Sequence, residues 1–235
     1  MEERFPYEFV TWNHKTMVGV KVSDVFGMDS KTGKVWTELA RQIYCEQGPE
    51  YKVIEHFDNG APFLENYPGR ISLSHTDHLF VVAMLPKTPE VSLEHFNTRT
   101  AMGIDAESLE RTQVIRIRDK FLSSEEQIKI PDKDLNANIL DWTAKEALYK
   151  SALCEGLDFK NSITILSLPE LLSDPVKGSE KSLGKALLKI PTENGYDNIE
   201  MNLFSYRSYG CCVTIAFSPK CAKFGQKLNL NDEMK

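Results

Sequence analysis

The chain has 235 residues, of which 41% are hydrophobic and 26% are charged, and its formal net charge is -6. This length permits one large domain or two half-size lobes around a sizeable buried core. The acidic balance argues against a general nucleic-acid or anionic-membrane binder, since both need a basic face, but it leaves room for a local basic pocket that binds a phosphorylated ligand.

The first half of the chain predicts short strands with one helix. Apolar residues recur at helical spacing over residues 35–46, which predicts a helix there. DNG at 58–60 predicts a turn, and HTDH at 75–78 predicts a tight connection. The polar stretch 86–99 contains two prolines and is typical of a loop. Predicted strands occupy residues 17–25, 51–57, 71–74 and 79–85.

The second half predicts a helical stretch followed by a meander of strands. A short strand is expected at 102–106, and a thin apolar stripe indicates a helix at 108–120. Ser123 or Ser124, followed by Glu126 or Gln127, is a capping-box pattern for another helix. The strongest predicted helix covers 137–153, which has good helix formers and no Gly or Pro. Further strands are predicted at 162–168, 185–190, 199–206 and 211–217, before a polar, loose tail after Pro219.

A weak internal similarity suggests how the chain is organised. HTDHLFVVAML at 75–85 resembles RSYGCCVTIAF at 207–217, and each is a polar turn followed by a buried strand. The alternative is coincidence, since buried strands resemble one another, but the similarity fits the fold that we expect, an α+β fold with two similar lobes in one chain. The N-terminal lobe would cover residues 1–100 and the C-terminal lobe 101–235.

Cysteine usage and the termini indicate a cytoplasmic protein. The five cysteines have neither CxxC nor Cys/His spacing of a zinc site, so we expect reduced thiols. The first residues, MEERFPYEFV, do not have the pattern of a signal peptide. The sequence has no run of about 18 apolar residues, so no membrane span is expected.

Two carboxylates at the end of a predicted strand are the first candidate site. Asp105 and Glu107 lie two residues apart, and residues with this spacing point to the same face of a strand. One interpretation is a solvated turn into a helix, whose N-terminus favours negative charge. The other is a hard metal ion such as magnesium, which prefers oxygen ligands and shares the phosphates of its ligand.

Two further segments also have both an ordinary and a chemical interpretation. Glu146 and Lys150 lie one turn apart on the predicted long helix, where they form either a surface ion pair or part of a magnesium–diphosphate site. Ser74, His75 and Thr76 stand at a strand end. Their hydroxyls and imidazole are able to bind phosphate, but they also fit a polar turn with a half-buried histidine.

Taken together, these segments resemble the 4′-phosphopantetheinyl transferases. GIDAE at 103–107, KFLSSEEQ at 120–127 and WTAKEALYK at 142–150 resemble family motifs in the family's order, and ISLSHT at 71–76 resembles an upstream segment. The length resembles the larger, surfactin-synthetase-activating type, a pseudo-dimer of two α+β lobes. The resemblance extends from about residue 57 to 168, and the chain ends fit only loosely.

The resemblance implies a reaction and a set of roles. Magnesium would be held by Asp105, Glu107 and Glu146, and coenzyme A would donate phosphopantetheine to a serine of an apo acyl or peptidyl carrier protein. Glu146 would be the base, acting directly or through a metal-bound water, and Lys150 would contact the diphosphate. Coenzyme A would also contact Ser74, His75 and Thr76, with His75 at its 3′-phosphate.

The sequence departs from the family pattern in the segment NGAPFL at 59–64. Gly60 and Pro62 fit the family's GKP segment, but Ala61 stands where the family often has a lysine that lines the coenzyme A site. Arg41 or Arg70 would have to supply the missing cation. The stretch 86–99 looks like an insertion beside the cleft.

The family resemblance leaves two other functions to consider. A non-catalytic homologue that binds coenzyme A or a carrier protein would be expected to lose one of the three acids, and this chain keeps all three. A plain interaction module would leave their spacing unexplained. We expect a monomer that acts on a carrier of fatty-acid, polyketide or nonribosomal peptide synthesis, with neither nucleic acid nor membrane as a partner.

Overall fold

The computed structural model describes residues 7–12, 15–20, 54–64, 70–77, 79–85, 102–173 and 180–219. Within the first hundred residues, the described strands form a four-stranded antiparallel sheet of order β1-β2-β6-β5 and a separate β3-β4 hairpin. Their bounds are β1 Tyr7–Trp12, β2 Lys15–Val20, β3 Ile54–His56, β4 Pro62–Leu64, β5 Arg70–His75 and β6 Phe80–Leu85.

The rest of the described chain forms a larger sheet and a layer of helices. The helices are α1 Gln113–Arg116, α2 Arg118–Phe121, α3 Ser124–Lys129 and α4 Leu135–Ala152. The strands are β7 Met102–Ser108, β8 Ile163–Ser167, β9 Leu171–Leu172, β10 Gly184–Thr192, β11 Gly195–Ser208 and β12 Cys211–Phe217. The sheet order is β7-β12-β11-β10-β8, and β9 pairs with β11 in parallel. The mixed helix and sheet content agrees with the expected α+β class, and the likeness of two lobes stays a prediction.

Hydrophobic burial fixes α4 against the larger sheet. Ala144, Ala147 and Leu148 are fully buried in one cluster with apolar residues of β8, β10 and β11. A second cluster joins β6 to the strands β7, β11 and β12. Burying one Leu or Ile side chain contributes ~1.5–3 kcal/mol, so these clusters hold β7 between α4 and the first sheet. None of the described helices has the length and apolar composition needed to cross a bilayer.

Several local predictions are confirmed. Ser123 is the N-cap of α3, with a complete capping box to Glu126. The predicted helix at 137–153 corresponds to α4, which begins two residues earlier because Asp134 caps the Ala137 amide at 3.0 Å. The turn at 58–60 closes with a hydrogen bond from the Gly60 amide to the Phe57 carbonyl.

The helix predicted at 108–120 is confirmed only in part, as two short helices that begin at Gln113. Strand β7 continues to Ser108, whose carbonyl accepts from the Arg111 amide at 3.1 Å in a turn, and whose hydroxyl accepts from the Glu110 amide at 3.2 Å. Two four-residue helices then follow, separated at Ile117, where φ is -109° and ψ is 9°. The local serine bonds favour a turn over a continuous helix at this point.

Some predicted elements fall outside the described residues, and some observed strands were not predicted. Outside the described residues lie the helix predicted at 35–46 with Arg41, the stretch 86–99, the parts of the predicted strands at 21–25 and 51–53, and the tail from residue 220. The short strands β1, β4 and β9 were missed. Among the described cysteines, Cys154, Cys211 and Cys212 are free thiols.

Candidate active site

Strand β7 and helix α4 approach each other unusually closely at Gly103. A Cβ atom on this glycine would lie 2.1 Å from the Ala147 carbonyl oxygen and 2.6 Å from the Ser151 amide nitrogen. Both neighbours are backbone atoms of α4, so any side chain would force the helix away from the strand. The first residue of the GIDAE segment therefore sets the distance between the strand's carboxylates and the helix.

Strand β7 is an edge strand of the larger sheet, and two serines of β5 accept hydrogen bonds from backbone amides on its open side. The Ile104 amide donates to Ser72 Oγ at 3.0 Å, and the Ala106 amide donates to Ser74 Oγ at 3.2 Å. Both serines are buried, at 4% and 7% exposure. Each hydroxyl therefore accepts a hydrogen bond from a buried backbone amide. Leaving such an amide unpaired would lower the free energy of unfolding by about 1–3 kcal/mol.

Asp105 is buried and only partly satisfied. Its Oδ1 accepts from Ser74 Oγ at 2.7 Å and from Lys150 Nζ at 2.6 Å. Its Oδ2 is buried and has no hydrogen-bond partner in the structure. Lys150 was expected beside Glu146 or at the diphosphate, and the structure pairs it with Asp105 instead, which leaves one carboxylate oxygen for a further ligand.

Glu107 lies on the same face of β7 and also contacts α4. Its Oε1 accepts from Trp142 Nε1 at 2.8 Å and forms an ion pair with Arg111. Sequence analysis assigned neither Trp142 nor Arg111 a role at Glu107. Residues four apart meet on a helix, but here a strand followed by a turn brings Arg111 back to Glu107.

Glu146 lies within electrostatic range of both strand carboxylates. The pKa of Glu146 is raised from 4.5 to about 7, chiefly by burial and then by the charges of Asp105 and Glu107, with Lys150 and Arg111 opposing the rise. A carboxyl group with a pKa near neutrality can accept and release a proton at physiological pH. Among the described residues, no three His, Cys, Asp or Glu side chains form a ready set of ligands around one point.

A first cavity, of about 210 Å³, lies beside this cluster. Its walls come from the β3-β4 hairpin, strand β5 and the C-terminal end of α4. Gly60, Pro62 and Lys150 all line it, so the structure brings these predicted residues together. Ala61 also lines it, as does His56, which sequence reasoning did not consider as a source of positive charge. Arg70 is not part of this lining.

A second cavity, of about 540 Å³, lies on the other side of the carboxylates. His75 and Thr76 line it together with Glu107 and Arg111. The residues predicted to bind coenzyme A are therefore divided between two cavities. Lys150 borders the first and Glu107 borders the second, and Ser74 belongs to neither lining because its hydroxyl is engaged by Asp105 and β7.

A buried polar network holds the other side of α4. Lys145 is fully buried and donates to Glu126 Oε2 at 2.7 Å and to the carbonyls of Phe121 and Phe159 at 2.8 and 3.0 Å. Glu126 Oε1 accepts from the Ile165 amide at 3.2 Å. Lys145 therefore joins α3 to α4 and β8, a structural role within the WTAKE segment that the sequence did not reveal.

Comparison with known families identifies part of the chain. Residues 101–179, about a third of the sequence, match the family model of the 4′-phosphopantetheinyl transferase superfamily. No curated protein matches the chain. The matched range is similar to that superfamily and includes Asp105, Glu107, Glu146 and Lys150, but not the β5 residues. It indicates phosphopantetheine transfer in general, with coenzyme A as donor and a carrier protein as acceptor.

Proposed function

We propose that this protein transfers 4′-phosphopantetheine from coenzyme A to a serine of an apo acyl or peptidyl carrier protein in a magnesium-dependent reaction. It would be a transferase of the larger, surfactin-synthetase-activating type. The main support is the arrangement of Asp105 and Glu107 on β7 opposite Glu146 and Lys150 on α4, within the range that matches the transferase superfamily.

The carboxylate cluster fits a magnesium ion in its chemistry. Asp105 Oδ2 is buried without a hydrogen-bond partner, and an orphaned buried oxygen of this kind suits a hard cation. The mutual repulsion of the carboxylates, which contributes to the raised pKa of Glu146, also favours a cation among them. Asp105, Glu107 and Glu146 would hold the ion. When bound, magnesium would stabilise negative charge on the diphosphate.

The two cavities suggest contacts with different parts of coenzyme A. Lys150, whose side chain is 29% exposed, lines the first cavity and can offer its ammonium group to the diphosphate. Gly60 and Pro62 shape the opposite wall. His75 and Thr76 line the second cavity, where an imidazole and a hydroxyl can bind the 3′-phosphate. With Ala61 in place of the family's lysine, the imidazole of His56 joins Lys150 as a side chain with a nitrogen donor in the lining of the first cavity.

Glu146 is the proposed base for the transfer step. The serine hydroxyl of the carrier forms a new bond to the β-phosphorus of coenzyme A, and its proton passes to Glu146. The phosphorus–oxygen bond to the leaving group breaks, and its electron pair leaves with adenosine 3′,5′-bisphosphate. In the metal-free protein burial and the neighbouring acids raise the pKa of Glu146 to about 7, which favours proton transfer to this carboxylate, and a bound cation would keep it ionised before the transfer.

The decisive assay is a direct test of transfer. The protein is incubated with coenzyme A, magnesium and a panel of apo carriers, and each carrier is weighed by mass spectrometry. We expect a gain of one phosphopantetheine group on at least one carrier, lost with excess chelator and restored by magnesium. Glu146→Gln should reduce turnover by about 100-fold or more. Glu125→Gln, at an exposed carboxylate of α3, serves as the matched control.

A specific observation also favours a second candidate, a non-catalytic homologue that binds coenzyme A or a carrier. Both strand carboxylates already have a cationic partner, Lys150 on Asp105 and Arg111 on Glu107. The same assay separates the two functions. Calorimetric binding of coenzyme A without any mass gain on fatty-acid, polyketide or nonribosomal peptide carriers would support the binding protein over the transferase.

A further inference from the structure

Arg111 is a charged residue next to the carboxylate cluster that the transfer chemistry does not use. It lies in the turn after β7, where its amide donates to the Ser108 carbonyl, and its guanidinium pairs with Glu107 Oε1. The Arg111 side chain is 38% exposed, whereas that of Glu107 is 12% exposed. A partly solvated cation therefore rests on a largely buried carboxylate.

The same Glu107 oxygen has a second and more rigid donor. Trp142 Nε1 donates to Oε1 at 2.8 Å, and the Trp142 ring is held by Phe121 and Phe159, with ring centroids 5.0 and 5.7 Å away. The indole therefore has little freedom to leave Glu107. The arginine side chain is longer and more exposed, so it is the mobile partner of the two.

We propose that Arg111 is a positioning residue that acts as a removable counter-ion, competing with the divalent metal for Glu107, while Trp142 keeps the carboxylate oriented. This inference rests on the proposed function, because the metal is the one that the transfer reaction needs. A divalent cation on Glu107 would be repelled by the guanidinium on the same carboxylate. Metal binding therefore has to displace Arg111 or overcome its charge.

The second cavity offers the displaced guanidinium other acidic partners. Asp77 and Glu110 line this cavity together with Arg111, and both are exposed. Their carboxylates provide alternative counter-ions on the solvent side. At Asp105 the cation is Lys150, whose side chain is less exposed than that of Arg111, at 29% against 38%, and which is proposed to bind the diphosphate. The competition is thus expected at Glu107 rather than at Asp105.

The expected effect of removing Arg111 is tighter metal binding. A partly exposed ion pair is weak, so Arg111→Gln should lower the dissociation constant for Mg²⁺ or Mn²⁺ by about five-fold, equivalent to about 1 kcal/mol. Trp142→Phe, which keeps an aromatic ring but removes the indole N–H, should have the opposite effect and weaken metal binding. A purely structural role for both residues would not produce opposite signs.

The experiment measures metal binding to the full-length protein by isothermal titration calorimetry, with Mn²⁺ as the probe and transferase activity recorded in parallel. Arg116→Gln is the matched control, because it removes the same charge from an exposed position of α1 and should change the constant less than two-fold. Arg111→Lys, which keeps the charge, should stay within about two-fold of the parent, and Arg111→Met provides a second neutral variant if Arg111→Gln does not fold.

The outcomes separate this inference from the proposed function. If the parent binds Mn²⁺ and transfers phosphopantetheine, but neither neutral variant binds the metal more tightly, Arg111 is not a competitor and the inference alone fails. If Arg116→Gln tightens binding as much as Arg111→Gln, general electrostatics explains the effect and the inference also fails. If the parent neither binds metal nor modifies any carrier, the proposed function fails with it.

Discussion

Asp141 is a buried carboxyl group whose replacement should change how stability depends on pH. It lies on α4 with no exposed surface, and neither of its carboxylate oxygens has a hydrogen-bond partner. Its pKa is raised from 3.8 to about 7, chiefly by burial; Lys145, one turn along the helix, opposes the rise, and nearby Glu126 contributes to it. Lys145 gives its own hydrogen bonds to Glu126 and to backbone carbonyls instead.

The sign and size of the effect follow from this shift. Below pH 3.8 the group is protonated in both the folded and the unfolded chain, so burial of the charge costs nothing. Between pH 3.8 and about 7 the unfolded chain ionises first, and the free energy of unfolding falls as pH rises. The shift is about three pKa units, and each unit is worth about 1.4 kcal/mol, so the total loss is on the order of 4 kcal/mol.

Asp141→Asn should remove this loss, because the amide does not ionise. Its buried N–H groups would be unpaired, which costs about 1–3 kcal/mol at every pH. We therefore expect the variant to be slightly less stable than the parent near pH 4.5. At pH 8 it should be more stable by about 1–3 kcal/mol, the difference between the two effects.

The assay is chemical denaturation of the metal-free protein at several pH values between 4.5 and 8, for the parent and Asp141→Asn. Asp158→Asn is a useful contrast, since backbone hydrogen bonds to Asn161 and Lys160 lower the pKa of that exposed carboxyl, and its replacement should not favour high pH. Parallel stability curves for parent and Asp141→Asn would refute the reasoning, because they would mean that Asp141 is ionised and satisfied in the folded protein.

Three further substitutions test the framework that holds the site. Gly103→Ala should lower the free energy of unfolding by about 1–3 kcal/mol, measured by denaturant titration, because its Cβ would collide with the backbone of α4. Ser72→Ala should cost about 1–3 kcal/mol in the same assay, since the buried Ile104 amide would lose its acceptor. Lys145→Met should cost about 3–5 kcal/mol by leaving Glu126 buried without its cation, and adding Glu126→Gln should recover part of that loss.

Local signals predicted the elements that local interactions determine. The long helix was recognised because it has good helix formers without Gly or Pro, and the cap at Ser123 because its capping box lies within four residues. The common face of Asp105 and Glu107 followed from the two-residue period of a strand, and both carboxylates do contact side chains of α4.

Other contacts depend on which elements meet in space and had no local signal. Ser72 looked like part of an ordinary strand, and its role appears only when β5 lies along the open edge of β7. Lys145 was assigned no role from the sequence, and it is fully buried. Arg111 was placed in a predicted helix, and the turn after Ser108 gives it a different path to Glu107. Sequence spacing therefore predicted the acids better than their partners.

The geometry of α4 explains how one helix serves two carboxylates of one strand. Trp142, Glu146 and Lys150 are spaced by four residues and form a stripe, with the outer two bonded to Glu107 and Asp105. The stripe spans about 12 Å along the helix, and the two acids are about 7 Å apart along the strand. The long side chains at the ends converge on the acids and leave Glu146 between them, where both acids raise its pKa. A shift of the helix would alter both hydrogen bonds and the position of Glu146 together, so the close approach at Gly103 and the buried Lys145 network would affect the proposed chemistry without touching a substrate.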